Sequence, residues 1–193
     1  MSRLFRLSGG LGLVLLAVLA GGCATGASFT AADTAKVDRL LGLVRERLDV
    51  APEVARTKWN TKAAIEDLPR ERQIIDGVAK RAPEHGLDPQ VAATFFSGQI
   101  EASKVVQTAL HAEWTAKGQS PFAKVADLGK DIRPVLDRLT PAMMGALAEA
   151  LPVLRQPGGR QLLEKRSKTI LADAPGGAAA AREAMGPLLN LSR

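Results

Sequence analysis

Val37, Leu40, Leu41, Val44, Leu48 and, past Val50, Val54 recur at steps of three and four, which lays one buried stripe along a helix. The same segment carries Arg47 and Lys58, eleven residues apart. At ~100° per residue that separation is about three turns plus ~20°, so both cations lie on one face. Two cations on one stripe of an apolar helix need an anion. Pro52 lies between them. It removes the amide that would bond to Leu48, so a kink is expected there, or a second piece opening at Pro52. A sharp split would weaken the alignment of Arg47 with Lys58.

The rest of the chain is punctuated in the same helical grammar. Asp67 followed by Pro69 reads as a helix start, with a cap oxygen and a residue that needs no amide partner. That second helix carries Ile74, Ile75 and Val78 inward and ends near His85-Gly86. Asp88-Pro89 repeats the start signal, and a third helix runs to about Trp114 with Gly98 inside it. A loop follows at Lys117 to Pro121, the helical pattern resumes around Val125 to Leu139, and Thr140-Pro141 restarts it. Gln156-Pro157-Gly158-Gly159 and Pro175-Gly176-Gly177 are further breaks before a last helix ending near Leu189. Among 193 residues, 46% are hydrophobic and 24% charged, enough for one domain with a sizeable core. The chain has 5 Phe, 2 Trp and no Tyr, a composition suited to helices meeting through aliphatic ridges. The expectation is an all-α bundle of about six to seven helices. Its single domain covers residues 31–193, with a core at 31–139 and a C-terminal helical extension at 140–193.

The first segment stands apart from that fold. Arg3 and Arg6 precede an apolar run from Leu11 to Leu19, and Ala20-Gly21-Gly22 precede Cys23, the only cysteine. This is the layout of a signal peptide, residues 1–22, and the run is too short to span a bilayer. Ala20 to Cys23 resembles a bacterial lipobox, with Ala where Leu is commoner, so Cys23 is the expected lipid-attachment site. The competing reading is ordinary signal-peptidase cleavage near Ala27. Either way the chain is exported to the periplasm; in the first reading residues 23–30 are a tether and a lipid at Cys23 is the expected membrane contact. Without Arg3 and Arg6 the 26 basic residues fall to 24 against 20 acidic ones. That modest excess, with no Lys/Arg run of five, gives a nucleic-acid partner no support.

Catalytic chemistry is constrained by what is scarce. His85 and His111 are the only histidines, and the carboxylates are scattered, so no metal-ligand cluster is visible. No glycine-rich phosphate loop or nucleophile elbow frames a residue. What remains is a cationic and polar set on helices. Gln99, Ser103 and Gln107 follow one another at steps of four on the third helix, and neutral polar groups on a half-buried helix want partners.

Four motifs occur in order: Arg47 to Val50 (Arg-Leu-x-Val); Lys58-Trp59; Ile65-Glu66-Asp67 with Arg70-Glu71; and Gln99 to Lys104 with Gln107. Together they resemble the all-helical chorismate mutases, in particular the exported, monofunctional members. The resemblance covers roughly Asp38 to Trp114 and continues more weakly through Asp131 to Asp137. It implies the Claisen rearrangement of chorismate to prephenate, a step that needs no cofactor, metal or nucleophile. It also implies roles. Lys58 and Gln107 donate to the breaking ether oxygen. Arg47, Arg70 and Arg133 bind the two carboxylates, Glu71 accepts from the ring hydroxyl, and Ser103 assists a carboxylate. Asp67 caps the second helix and touches the site through its backbone or a water. Arg138 or Lys130 are the alternatives to Arg133. Relatives are commonly homodimers, while the exported type tends to complete each site within one chain.

Two departures from the family pattern matter. Ile74 stands where some exported relatives have Gln, with Gln73 one step away, and a single cysteine cannot staple the C-terminal helices. Gln107 also carries a pH expectation. Relatives with Glu there need it protonated, whereas an amide donates at every pH. The rival readings are a non-catalytic relative that binds a small carboxylate, and a helical envelope lipoprotein acting as an adaptor.

Overall fold

The structure is a computed structural model and describes residues 28–192. The predicted signal peptide and Cys23 lie outside the described residues. Helix α1 spans Ala31–Thr61. Thr30 caps it: Oγ1 accepts from the Asp33 amide at 3.0 Å, and Asp33 Oδ2 accepts from the Thr30 amide at 3.2 Å. Two orphan donors of the first turn are thereby satisfied reciprocally. At the other end Lys62 takes a left-handed conformation, φ 57°, and its amide donates to the Lys58 carbonyl.

Of the kink or split expected at Pro52, the split does not occur, and α1 runs through it as one helix. Leu48 and Ala51 are almost fully enclosed. Packing on both sides of the proline outweighs the ~3 kcal/mol that a helix-interior proline costs. The face shared by Arg47 and Lys58 survives for that reason.

Helix α2 covers Leu68–Arg81 and continues as a 3-10 turn, Ala82–His85, that closes at Gly86 with φ 70°. Asp67 Oδ1 accepts from the Arg70 amide at 3.2 Å. Helix α3, Pro89–Ala116, opens on Asp88, whose Oδ1 accepts from the amides of Gln90 and Val91 at 2.8 and 3.1 Å. Both predicted starts are therefore capped by the aspartates that announced them.

A π-helical turn, Leu128–Ile132, leads directly into α4, Arg133–Leu154. The restart expected at Thr140-Pro141 is absent. Leu139, Met143, Met144 and Leu147 on either side are buried and hold α4 continuous. Helices α5, Gly159–Ile170, and α6, Gly177–Leu191, follow turns at Gly158 and Gly176, with φ 87° and 78°. These are backbone positions where glycine carries no Cβ penalty. Six α-helices and no strand are present among the described residues.

Helix α1 packs on α3, α4 and α5, while α3 also receives α2 and α6. Val37, Leu40, Leu41 and Val44 of α1 are fully enclosed, as are Phe95 and Phe96 of α3. The aliphatic stripe thus fills the middle of the bundle. Its last turns carry Lys58 out toward α2 and the start of α4.

Candidate active site

Where α1 leaves the aliphatic core, a cavity of about 150 Å³ opens between α1, α2, α3 and the first turns of α4. A volume of that order holds a six-membered ring. Arg47 and Lys58 reach it from α1. Asp67, Arg70 and Glu71 reach it from the head of α2, Ser103 and Gln107 from α3, and Arg133 from α4. The eight side chains singled out in the sequence therefore meet at one hollow. Val54, Ile65, Ile74, Ile100, Ile132 and Leu136 supply apolar wall between them.

Arg47 is the most constrained of these. Its side chain is only 8% exposed, and Nε has no partner. Burial alone pushes its guanidinium down to about 10, which leaves it charged at neutral pH. A buried cation without a counter-charge is costly. Its guanidinium borders the cavity, where an anion would supply the missing counter-charge.

Lys58 Nζ donates to the Ile65 carbonyl at 2.6 Å, which uses one of its three donors. Burial lowers its pKa. Asp67 and Glu71 pull it back up, and Lys104 pushes it down again. Arg70 Nη1 donates to Gln73 Oε1 at 2.7 Å, and Nη2 lies 3.8 Å from Asp137 Oδ1. Gln73 is therefore a holder of Arg70, while Ile74 faces the cavity. Arg138 instead pairs with Glu46 at 3.2 Å, and neither it nor Lys130 lines the hollow.

Gln107 is 4% exposed. Its Nε2 donates to the Ser103 carbonyl at 3.2 Å and to Ser103 Oγ at 3.1 Å, while Oε1 has no partner. Turning the amide over exchanges the two ends: Oε1 then meets the Ser103 hydroxyl, which can donate to it, and Nε2 becomes free. Ser103 Oγ faces an amide rather than a base, so nothing here activates it as a nucleophile.

Asp67 spends Oδ1 on the Arg70 amide. Glu71 is held from two sides. Oε1 accepts from the Asp67 amide at 3.1 Å, and Oε2 accepts from Lys104 Nζ at 3.1 Å. Lys104 lines the cavity as well and was not among the residues expected. Its Nζ also lies 2.7 Å from Glu101 and 3.8 Å from Glu66. Burial opposes its charge, but hydrogen bonds to Glu101 and Glu71 outweigh that and raise its pKa. The only local signal was Glu101 three residues earlier; Glu71 is 33 residues away in the chain.

Gln99 does not join the cavity. It is 1% exposed, and its Nε2 donates to the Ala184 carbonyl of α6 at 2.9 Å. Steps of four drift by ~40° each, so a polar stripe spanning two steps turns by ~80° and reaches a different neighbour. Trp59 belongs to an aromatic cluster with His111 and Trp114, at centroid distances of 5.4 and 5.6 Å. Lys62, rather than Lys58, lies over its ring, at 4.7 Å.

The cavity thus combines fixed guanidinium, ammonium and amide donors with an apolar wall, an arrangement suited to a small multiply charged anion with a ring.

Comparison with known proteins agrees with that chemistry. The sequence profile described as chorismate mutase type II matches residues 33–108. The secreted chorismate mutase of Mycolicibacterium smegmatis is 32% identical over 155 residues, covering 80% of this chain and 84% of that one. The crystal structure of a chorismate mutase from Burkholderia phymatum superposes with a TM-score of 0.76 at 30% identity, over 81% of this chain and 98% of that one. A chorismate mutase from Burkholderia thailandensis gives 0.73 at 36% identity, over 79% and 98%. By sequence and by fold, the chain belongs to the type II chorismate mutase family.

Proposed function

We infer that this chain catalyses the rearrangement of chorismate to prephenate. The observation that carries the reading is the uncompensated, buried Arg47 guanidinium in a cavity it shares with Lys58, Arg70 and Arg133. Chorismate is a dianion, and its rearrangement breaks an ether C–O bond while a C–C bond forms in the same molecule. Charge grows on the ether oxygen in the transition state. Donors fixed in advance around that oxygen stabilise the transition state more than the substrate. Holding the side chain folded over the ring removes the entropy cost of reaching that geometry.

In this reading Arg47, Arg70 and Arg133 take the two carboxylates, where a planar guanidinium fork matches a planar carboxylate. Lys58 and Gln107 donate to the ether oxygen. Gln107 does so after turning its amide, which gives up the bond to the Ser103 carbonyl, about 1 kcal/mol net, and exchanges the other for one donated by the Ser103 hydroxyl. Glu71 accepts from the ring hydroxyl with lone pairs left over from its two existing bonds. Ser103 assists a carboxylate, and Asp67 holds the head of α2.

Purified chain lacking residues 1–22, given chorismate, is expected to consume it within minutes, followed by loss of substrate absorbance. Lys58→Ala and Arg70→Ala should abolish most of that rate. An inactive, folded chain would overturn the reading in favour of a carboxylate-binding relative.

Export is supported by relatives named as secreted chorismate mutases together with the leader-like residues 1–22. Lipid attachment at Cys23 is the finer part of that proposal. Mass spectrometry of protein recovered from membranes tests it: a diacylated Cys23 terminus supports the anchor, and cleavage near Ala27 excludes it. All eight side chains of the proposed site come from one chain, which supports a site completed without a partner even where the homodimer that the resemblance implies forms. Sedimentation of the purified chain decides that assembly.

A further inference from the structure

We propose that Lys104 is a positioning residue for this site, fixing the Glu71 carboxylate and cancelling its charge toward the incoming dianion. The proposal rests on the chorismate mutase reading and adds a residue and a role to it.

Glu71 presents a difficulty that the eight-residue site does not resolve. A carboxylate that accepts from a ring hydroxyl must sit beside a substrate carrying two negative charges, in a half-enclosed apolar hollow where repulsion is poorly screened. Three further carboxylates stand nearby: Asp67 and Glu66 in the turn before α2, and Glu101 on α3. The cations facing this corner are Lys58 of α1, Arg70 of α2 and Lys104 of α3. Lys58 is tied to the Ile65 carbonyl and Arg70 to Gln73. Lys104 is the cation placed against Glu71 itself.

Of the three carboxylates around Lys104 Nζ, two are largely exposed and therefore screened. Glu71 is 19% exposed and Lys104 18%, so their contact is the one made away from water. The geometry is a two-point clamp, with the Asp67 amide on Oε1 and the Lys104 ammonium on Oε2. A carboxylate held at both oxygens cannot rotate, and its remaining lone pairs keep one direction. Ser103, the neighbouring residue on α3, lines the same cavity, so the clamp is rigidly registered to the rest of the site.

Charge cancellation acts on substrate and transition state alike. Loss of the ammonium should therefore appear in KM more than in kcat. Lys104→Met keeps the aliphatic stem and removes the charge. It is expected to raise KM for chorismate about tenfold while kcat changes less than about threefold, at unchanged helicity and melting temperature. Lys104→Arg restores a cation and should recover most of the loss. The decisive variant is Lys104→Met combined with Glu71→Gln. With both charges gone the repulsion is gone, so KM should fall below that of Lys104→Met alone. Effects that simply multiply would show that Lys104 does not act through Glu71 and would overturn the proposal. So would an active wild-type chain whose KM Lys104→Met leaves unchanged. A wild-type chain unable to consume chorismate overturns the proposal together with the reading beneath it, a result distinct from either of those.

Discussion

Gln99 and Gln107 sit two steps of four apart on α3, both almost fully enclosed, each with an amide oxygen that has no partner. They nevertheless serve different regions. Gln99 lies in the seam between α3 and α6, where its Nε2 meets the Ala184 carbonyl and the preceding residue, Gly98, leaves no room: a Cβ there would stand 2.7 Å from Pro187 Cγ and 2.9 Å from the Glu183 carbonyl. Gln107 faces a hollow in which space is left over and Arg47 Nε also lacks a partner. The unpaired oxygen of Gln99 has no structural account. The seam is specified by volume and the cavity by charge, and the two should fail in different ways.

The largest expected effect separates them most sharply. Arg47→Met removes the buried charge and keeps the bulk, so chorismate turnover should fall by about a thousandfold or more, the scale of losing a fixed donor to developing or bound charge. Thermal stability should hold or rise by about 1 kcal/mol, because an unpaired buried charge has been replaced by an apolar side chain. Calorimetry alongside kinetics reads both; a lower melting temperature would show that Arg47 has a structural partner.

Next comes Gln107→Glu, expected to lower the rate at pH 7 about a hundredfold and to make it rise steeply from about pH 7 to about pH 5, as the carboxyl gains the proton it must donate. The wild-type profile should stay flat over that range. An acid-dependent wild-type rate, or a variant as fast as wild type at neutral pH, would remove Gln107 from the role given to it.

At the seam, Gly98→Ala should cost about 2 kcal/mol of stability through overpacking against Pro187 and Glu183, read from denaturant midpoints. The folded fraction should keep kcat within about threefold. A large kcat loss in that variant would show that the seam and the cavity are coupled through α3.

The smallest effect is on the alkaline side. Burial holds Lys58 below the ordinary lysine value of 10.5. The protonated form is the donor, so kcat/KM should begin to fall as pH rises toward, and before reaching, that value. A profile flat beyond it would mean that the ammonium is not needed in the free enzyme.

The helices themselves were legible in the sequence because their signals are local. The caps at Asp67 and Asp88 act within three residues, glycine at positions 158 and 176 answers a local backbone demand, and the eleven-residue spacing of Arg47 and Lys58 fixes their shared face once the helix is continuous. Continuity was not legible. Pro52 and Pro141 look like boundaries in one dimension, and only the enclosure of Leu48, Ala51, Leu139 and Met143 by other helices overrules them. The fates of the polar residues were likewise decided in three dimensions. Gln99 went to α6 and Gln107 to the hollow, Arg133 came to the cavity while Arg138 paired with Glu46, and Lys104 found Glu71 across the α2–α3 contact.

The sequence alone therefore determined the capped starts at Asp67 and Asp88 and which residues of a continuous helix share a face, because hydrogen bonds within one turn and a fixed rotation per residue suffice for both. Which faces meet, what a buried polar group bonds to and where a space is left open depend on contacts between residues far apart in the chain. Only the packed structure sets those contacts.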